Sequence, residues 1–436
     1  MDFEKKKVAV TTLGCRSNQY DSTAMEDFVR GAGFEIASFS EEAGAYIINT
    51  CTVTHKTDSE GRQLVRKVRR RHPDSVIIVT GCYAQVSPEE VSAIEGVDYV
   101  LGNPEKDRVV ECIKKGRQTG GAVVEVGDYR EGAPLKLRAQ NHRGRTRVNL
   151  KVQDGCNKNC AFCVIPLARG TSKSLALDDV MAEIKGLVDN GFKEMVLTGI
   201  HLGAYGMDFT CGYSILKLLR EIEAASFDAH FRISSLDPDE VGPEMIGFLA
   251  GAKTICNHLH LPIQSGDDKI LRLMNRPYSA RGFAETVTRL SKEVVDISIG
   301  TDVIVGFPGE GELEFENTYN LLKSLPLSYL HIFPYSKRTK TAAIDMPGHN
   351  DPRVIKERSA RLHALDAEMR KAFYGRFIGR EMTVLVESAR DKKTGLLKGR
   401  TTNYIPVLID GGDELKCSEV VVRLTGIIDD NMVGCL

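Results

Sequence analysis

Six cysteines carry most of the chemistry this sequence offers, and they fall into two groups of three. Cys156, Cys160 and Cys163 share the compact run Asp154-Gly155-Cys156-Asn157-Lys158-Asn159-Cys160-Ala161-Phe162-Cys163. Cys15, Cys51 and Cys82 are dispersed, each at the end of a short apolar run. A structural zinc site takes four protein ligands in a tetrahedron, and each group offers three. Three thiolates on a four-iron cluster leave one iron free to bind something else. The zinc alternative needs a fourth ligand, for which His201 or another remote residue is available.

The compact C-x3-C-x2-C loop, with Phe162 before its last cysteine, resembles that of the radical S-adenosylmethionine (SAM) enzymes. The dispersed triad ahead of it resembles the methylthiotransferases within that superfamily, and the resemblance spans nearly the whole chain in the same domain order. The runs Gly14-Cys15-Arg16-Ser17-Asn18-Gln19-Tyr20 and Asn49-Thr50-Cys51-Thr52-Val53-Thr54 are most similar to the branch acting on N6-threonylcarbamoyladenosine in tRNA. The isopentenyladenosine branch differs after its second cysteine, and the branch modifying an aspartate of a ribosomal protein differs around its first.

The resemblance implies an α/β protein of three domains. These are an N-terminal parallel α/β methylthiotransferase domain (1–130), a partial (β/α)6 radical SAM barrel (140–373) and a small C-terminal β-barrel of the TRAM type (374–436). It implies two [4Fe-4S] clusters, on Cys156, Cys160 and Cys163 and on Cys15, Cys51 and Cys82. In the family the first binds SAM at its open iron, and an electron passed through it cleaves the sulfonium to a 5′-deoxyadenosyl radical. The second carries the sulfur that is transferred, and two molecules of SAM are used. The expected product is the 2-methylthio derivative of the modified adenosine beside the anticodon. Carbon C2 of adenine is poorly nucleophilic, so radical activation suits it better than ordinary methyl transfer.

Runs matching the family's SAM cradle place cofactor contacts near Phe162, Thr198, Gly199, Ser234, Gln264, Val303 and Gly306, with no catalytic residue beyond the cluster ligands. Each run taken singly also reads as an ordinary strand-to-loop turn. The implied partners are a tRNA anticodon loop and an electron-donor protein such as flavodoxin or ferredoxin, with no membrane. A non-catalytic iron–sulfur RNA-binding protein is the alternative of a different class, but it has no use for a SAM cradle.

The elements that must position these residues follow from periodicity. Strands at 8–13, 45–49 and 76–80 end at Cys15, Cys51 and Cys82, with helices at 22–32 and 59–71 between them. This rhythm predicts a parallel sheet with right-handed crossovers. The carboxyl ends of its strands share one edge, where ligands bind, so the three cysteines are expected to converge there. Burial as a small apolar residue is the plainer reading for any one of them.

Further strands at 148–152, 195–198, 231–234, 259–263, 297–304 and 329–333 alternate with helical stretches such as 177–190 and 213–225. Six such units suit an open partial barrel, with the compact loop at the mouth where barrel active sites lie. A helix at 352–373, capped by Asp351 and Pro352, carries an apolar stripe of Leu362, Leu365, Met369 and Phe373. Strands at 382–387, 404–409 and 420–424 predict a small antiparallel barrel.

Composition sets the outer bounds. With 436 residues, 42% hydrophobic and 27% charged, the chain suits two or three domains. Its net charge of -1 means that RNA binding must rest on local charge. Arg62, Arg66, Lys67, Arg69, Arg70 and Arg71 crowd one helix over an apolar face of Leu64, Val65 and Val68. Lys392, Lys393, Lys398 and Arg400 form a second basic group. Both are candidates for phosphate contact, and solvated surface is the plainer reading. Tyr83 and Tyr404 have faces able to stack on bases, though packing is the commoner role.

A basic linker is expected at 123–147, with Arg138, His142, Arg143, Arg145 and Arg147. The eleven cysteines and a start, Met1 to Lys7, without an apolar core point to reduced thiols and a cytoplasmic protein. Cys112, Cys211, Cys256, Cys417 and Cys435 lack ligand-like spacing, and His258, His260 and His331 read as satisfied polar groups on barrel strands.

Overall fold

A computed structural model describes residues 6–128, 135, 137–139, 142, 144–210 and 212–436. Arg143 of the expected linker and Cys211 lie outside the described residues. The first sheet contains β1 (Lys7–Thr12), β2 (Glu35–Ala37), β3 (Ala45–Thr50), β4 (Val76–Gly81), β5 (Tyr99–Leu101) and β6 (Val123–Glu125). All are parallel, in the order β2-β1-β3-β4-β5-β6. The central strands β3 and β4 are buried along their whole length, as both faces of a helix-covered parallel sheet require.

Two helices begin earlier than their apolar periodicity suggests. The helix Arg16–Gly31 starts directly after Cys15, and its first turns bury Ser17, Asn18, Asp21, Ser22 and Thr23. Polar burial of that kind leaves no hydrophobic stripe to read. The helix His55–Arg71 is started by a capping box, in which Thr54 Oγ1 accepts from the Thr57 N–H at 3.3 Å.

The second unit is built from β7 (Arg147–Lys151), β8 (Gln153–Asp154), β9 (Lys173–Ser174), β10 (Glu194–Thr198), β11 (His230–Ile233), β12 (His258–His260), β13 (Ser298–Val305) and β14 (Tyr329–Pro334). Two parallel three-stranded sheets form, ordered β11-β10-β7 and β12-β13-β14. A parallel bridge between Phe231 and Ile255 joins them, with Leu236 N–H donating to His260 O at 3.1 Å. One hydrophobic core runs under both halves, from Val148 and Leu197 to Ile299 and Leu330. The result is the expected six-stranded open barrel.

The helix Pro352–Gly375 links this core to the last unit. Its residues Leu362, Leu365 and Met369 pack in the barrel core, while Phe373 and Tyr374 pack in the next one. That last core fills a closed barrel of β15 (Glu381–Arg390), β16 (Leu397–Thr401), β17 (Pro406–Ile409), β18 (Glu419–Ile428) and β19 (Asn431–Cys435), ordered β15-β16-β17-β19-β18. The barrel is not wholly antiparallel as expected. β19 returns from a hairpin with β18 and pairs with β17 in parallel, which closes the barrel and leaves no free edge.

Candidate functional site

Cys15, Cys51 and Cys82 follow the carboxyl ends of β1, β3 and β4, three adjacent strands. Two glycines set how closely these ends approach. A Cβ on Gly14 would lie 2.5 Å from Cys51 Cβ, and one on Gly81 would lie 2.3 Å from Thr50 O, each with φ near +100°. Only glycine tolerates both demands. Asn18 ties the strand ends together, its Nδ2 donating to Leu13 O at 2.8 Å and Thr50 O at 2.9 Å. Burial, with the neighbouring Cys82 and Cys15 sulfurs adding, pushes the Cys51 thiol up to about 12.

The compact loop leaves β8 through Gly155, whose φ of 74° and close approach to Thr171 O again require glycine. Backbone bonds pin the loop: Cys156 N–H donates to Gly170 O (3.0 Å), Ala161 N–H to Met274 O (3.0 Å) and Ala343 N–H to Ala161 O (2.8 Å). Burial, with Cys160 and Cys156 adding, pushes the Cys163 thiol up to about 12. Arg276 donates from Nη1 to Cys160 Sγ at 3.1 Å and is held by Asp237 at 2.5 Å. The Lys158 N–H donates to Cys156 Sγ at 3.3 Å.

All six thiols are free. Cys51 and Cys82 are buried, Cys156, Cys160 and Cys163 half-buried and Cys15 exposed; within each group the sulfurs lie close enough for bare thiolates to repel, and metal binding relieves that conflict. Each donor set therefore fits a cluster held at three corners. His201, the alternative fourth zinc ligand, bonds Glu240 through Nε2.

The two groups meet at one junction. Cys82 and Val86 pack in a single cluster with Val164, which follows Cys163, and Ala168. Beside it lies a buried ionic network: Asp21 with Lys106 (2.6 Å), Lys151 and Arg169 (3.2 Å), and Asp154 with Arg169 (2.9 Å) and Lys151 (3.2 Å). Three cations face two carboxylates there. Arg169 is fully buried and its Nε has no hydrogen-bond partner; burial opposes its charge, but Asp154, the Cys82 sulfur and Asp21 outweigh it. Arg338 extends the contact, pairing with Asp58 at 2.5 Å and reaching Thr52 beside Cys51. The convergence expected from strand order is thus present, and the triad edge docks on the barrel mouth.

The expected SAM contacts gather around that mouth with different side-chain roles. Phe162 packs edge-on against Phe307 at 6.5 Å. The Thr198 hydroxyl donates to Val196 O (3.0 Å), and Gly199 lies against the Gln153 side chain. Ser234 Oγ is buried with no hydrogen-bond partner, which leaves it available to a ligand. Gln264 sits at φ 69°, a left-handed conformation rare outside glycine and typical of functional turns. The Val303 side chain belongs to the hydrophobic core, so only its backbone is available. Gly306 donates its N–H to Glu310 Oε1 (2.9 Å) and packs against Ile355.

The barrel histidines are bonded as expected, except that His258 Nδ1 is buried without a partner. His258 pairs with Tyr329 OH (2.8 Å), and His260 and His331 both reach Asp302 Oδ1, at 2.8 and 3.3 Å. Of the basic helix, Arg66, Lys67, Arg70 and Arg71 are exposed. Arg69 departs from the phosphate-contact reading, because it is spent on Asp98 (2.8 Å) and on Gly96 O (2.7 Å). Tyr83 is buried between Arg62 and Glu90, so its face is not offered to a base. Arg400 turns inward over the Tyr404 ring, 4.3 Å from its centroid. Sequence reasoning missed Arg276, Arg169, Lys151 and Asp21 altogether, since an isolated charged residue reads as surface.

No helix of the described residues is long and apolar enough to cross a membrane. Comparison with known proteins agrees with the geometry. Residues 7–102 match the family described as uncharacterized protein family UPF0004, and residues 150–322 match the radical SAM superfamily. The chain is 39% identical to threonylcarbamoyladenosine tRNA methylthiotransferase MtaB of Bacillus subtilis, covering 96% of this chain and 93% of that one. It is 32% identical to the tRNA-2-methylthio-N(6)-dimethylallyladenosine synthase of Moorella thermoacetica, covering 97% and 96%. Among solved structures, the radical SAM methyltransferase TsrM of Kitasatospora setae shares the fold with a TM-score of 0.58 at 15% identity, over 78% of this chain and 77% of that one. Two three-cysteine groups docked at the mouth of a six-stranded open barrel, with relatives matching over nearly the full length, place this chain in the radical S-adenosylmethionine methylthiotransferase family.

Proposed function

We propose that the protein converts N6-threonylcarbamoyladenosine beside the tRNA anticodon to its 2-methylthio derivative. The observation that carries this reading is the direct docking of the Cys15, Cys51 and Cys82 edge onto the loop of Cys156, Cys160 and Cys163, through Cys82, Val164 and Arg169. When bound, two [4Fe-4S] clusters and SAM supply the one-electron chemistry and the sulfur needed to functionalise an adenine C–H bond. The choice of threonylcarbamoyladenosine over isopentenyladenosine follows the runs at Cys15 and Cys51 and the higher identity of the relative named for it.

Within this reading the chain's own residues bind, orient and exclude water. The six cysteines hold the clusters, and Arg276 and the Lys158 N–H donate to two of their sulfurs. Ser234 Oγ and the backbone at Gly199, Gln264, Val303 and Gly306 form the SAM cradle, with Phe162 closing it. Residues 1–130, 140–373 and 374–436 act as the sulfur-holding, SAM-binding and RNA-binding units. A flavodoxin or ferredoxin class donor supplies electrons. Arg66, Lys67, Arg70 and Arg71 take RNA phosphates, and an anticodon-loop base is already single-stranded, so seating it costs little unpairing.

Two measurements test the assignment. Nucleoside mass spectrometry of cells with and without the gene is expected to lose the methylthio-threonylcarbamoyl nucleoside; loss of the isopentenyl derivative instead overturns the substrate. Anaerobic reconstitution is expected to give about eight irons per chain, falling to about half when Cys156, Cys160 and Cys163 become Ala. Zinc near one per chain without iron ends the reading.

A further inference from the structure

Where the three units meet, four guanidinium groups surround one phenol. Tyr404 sits at φ 71°, a conformation that bulky residues rarely adopt, on the turn between β16 and β17. Its ring lies 4.6 Å from the His258 ring, 4.8 Å from the Arg232 guanidinium and 4.3 Å from that of Arg400. Its hydroxyl accepts from Arg16 Nη2 at 3.3 Å. Burial alone would raise the phenol, but Arg400, Arg16, Arg147 and Arg232 together bring it below its ordinary value.

The carboxylates nearby do not balance this charge. Glu194 is taken by Arg232 at 2.8 Å, and Glu387 by Arg147 at 2.5 Å, with Arg400 more distant at 3.9 Å. Arg16 has no carboxylate partner among the described residues, and Arg147 Nη1 is buried without a hydrogen bond. A cavity of about 340 Å³ opens at this point, lined in part by Arg16, Gln19, Arg147, Asn149 and Tyr404 and by the two paired carboxylates Glu194 and Glu387. Arg16, which lines it, is the residue immediately after Cys15.

We infer that this cavity binds a substrate carboxylate and that Arg16 is the residue that recognises it. The inference rests on the proposed substrate: a threonylcarbamoyl group ends in an α-carboxylate, whereas an isopentenyl chain carries no charge. A half-buried guanidinium whose one hydrogen bond is the long 3.3 Å contact to the Tyr404 hydroxyl keeps donors for a carboxylate, which it matches in both charge and geometry. Asn149 Nδ2 donates to Gln19 Oε1 at 3.0 Å, which orients the Gln19 amide and leaves its Nε2 as a neutral donor beside Arg16. N6 and C2 belong to the same six-membered ring of adenine. A base held with C2 toward Cys15 therefore brings its N6 substituent within reach of the next side chain.

The test uses the full-length, cluster-loaded protein and short anticodon stem-loop RNAs of one sequence. One carries the threonylcarbamoyl group, one its methyl ester and one the isopentenyl group, and binding is followed by fluorescence anisotropy. The wild-type protein is expected to prefer the free acid over the ester by about 10- to 100-fold, the scale of a charge-assisted forked hydrogen bond. Arg16→Gln is expected to abolish that preference while leaving ester affinity and iron content in place. Arg16→Lys, which keeps the charge and loses the fork, is expected to retain part of it. A full acid-over-ester preference in Arg16→Gln overturns the inference alone. The same holds for an unreduced preference in Arg16→Lys, which decides the matter if Arg16→Gln loses iron. A phosphate ligand would weaken acid and ester alike, and that outcome also overturns it. Tighter binding of the isopentenyl loop by the wild-type protein overturns the substrate reading as well.

Discussion

At the residue scale, function is written in side chains whose neighbours the sequence does not reveal. The six cysteines were legible because cysteine is rare, and its spacing speaks directly of metal. Arg276 was not, although it donates to Cys160 Sγ at 3.1 Å. A hydrogen bond and a positive charge at a cluster sulfur favour the more negative, reduced state and so raise the potential. Arg276→Met is therefore expected to make the cluster on Cys156, Cys160 and Cys163 harder to reduce. Potentiometric titration followed by electron paramagnetic resonance reads this directly, and an unchanged midpoint would contradict it.

At the element scale, the cysteines are delivered by strand ends and glycine turns. The strands bearing them were read closely from apolar runs: 45–49 and 76–80 expected, Ala45–Thr50 and Val76–Gly81 observed. The short strands β2, β5 and β6 went unseen, as did β16 and β19, because three to five residues carry little periodicity. Gly155 was read only as part of a motif, and its structural demand is sharper. An alanine Cβ there would sit 2.0 Å from Thr171 O, in a backbone conformation with φ 74°. The left-handed conformation alone costs about 1–2 kcal/mol for a residue with a side chain. Gly155→Ala is expected to displace the compact loop and lower iron to about half, sparing the cluster on Cys15, Cys51 and Cys82. Retention of full iron content would refute this.

At the scale of the whole molecule, the two cysteine-bearing edges meet where buried charge locks the units together. Burial would raise the Asp21 carboxyl, but Lys106, Lys151 and Arg169 outweigh it and hold it well below the usual range. A depressed folded pKa means that this contribution is complete above the unfolded carboxylate value of about 3.9 and is lost only as pH falls through the lower folded value. Asp21→Ala leaves buried Lys106 without its carboxylate and Lys151 and Arg169 sharing Asp154 alone, and is expected to cost about 3–5 kcal/mol. A large drop in the thermal unfolding midpoint at neutral pH checks it, and a midpoint near wild type would show that the network does not hold the units together. The Tyr20 hydroxyl, donating to Glu183 at 2.7 Å, is a second clasp between the same units.

The sequence by itself singled out the candidate cluster cysteines, the strand–helix alternation and the order of the three units, because these depend on residue type and local spacing. Strand order in a parallel sheet was enough to expect that Cys15, Cys51 and Cys82 converge. Only the tertiary structure decided which charged side chains are buried, and against what. Arg16, Arg169, Arg276 and Asp21 look like surface residues until the units dock, since a charge has meaning only through the counter-charge and solvent that folding places around it.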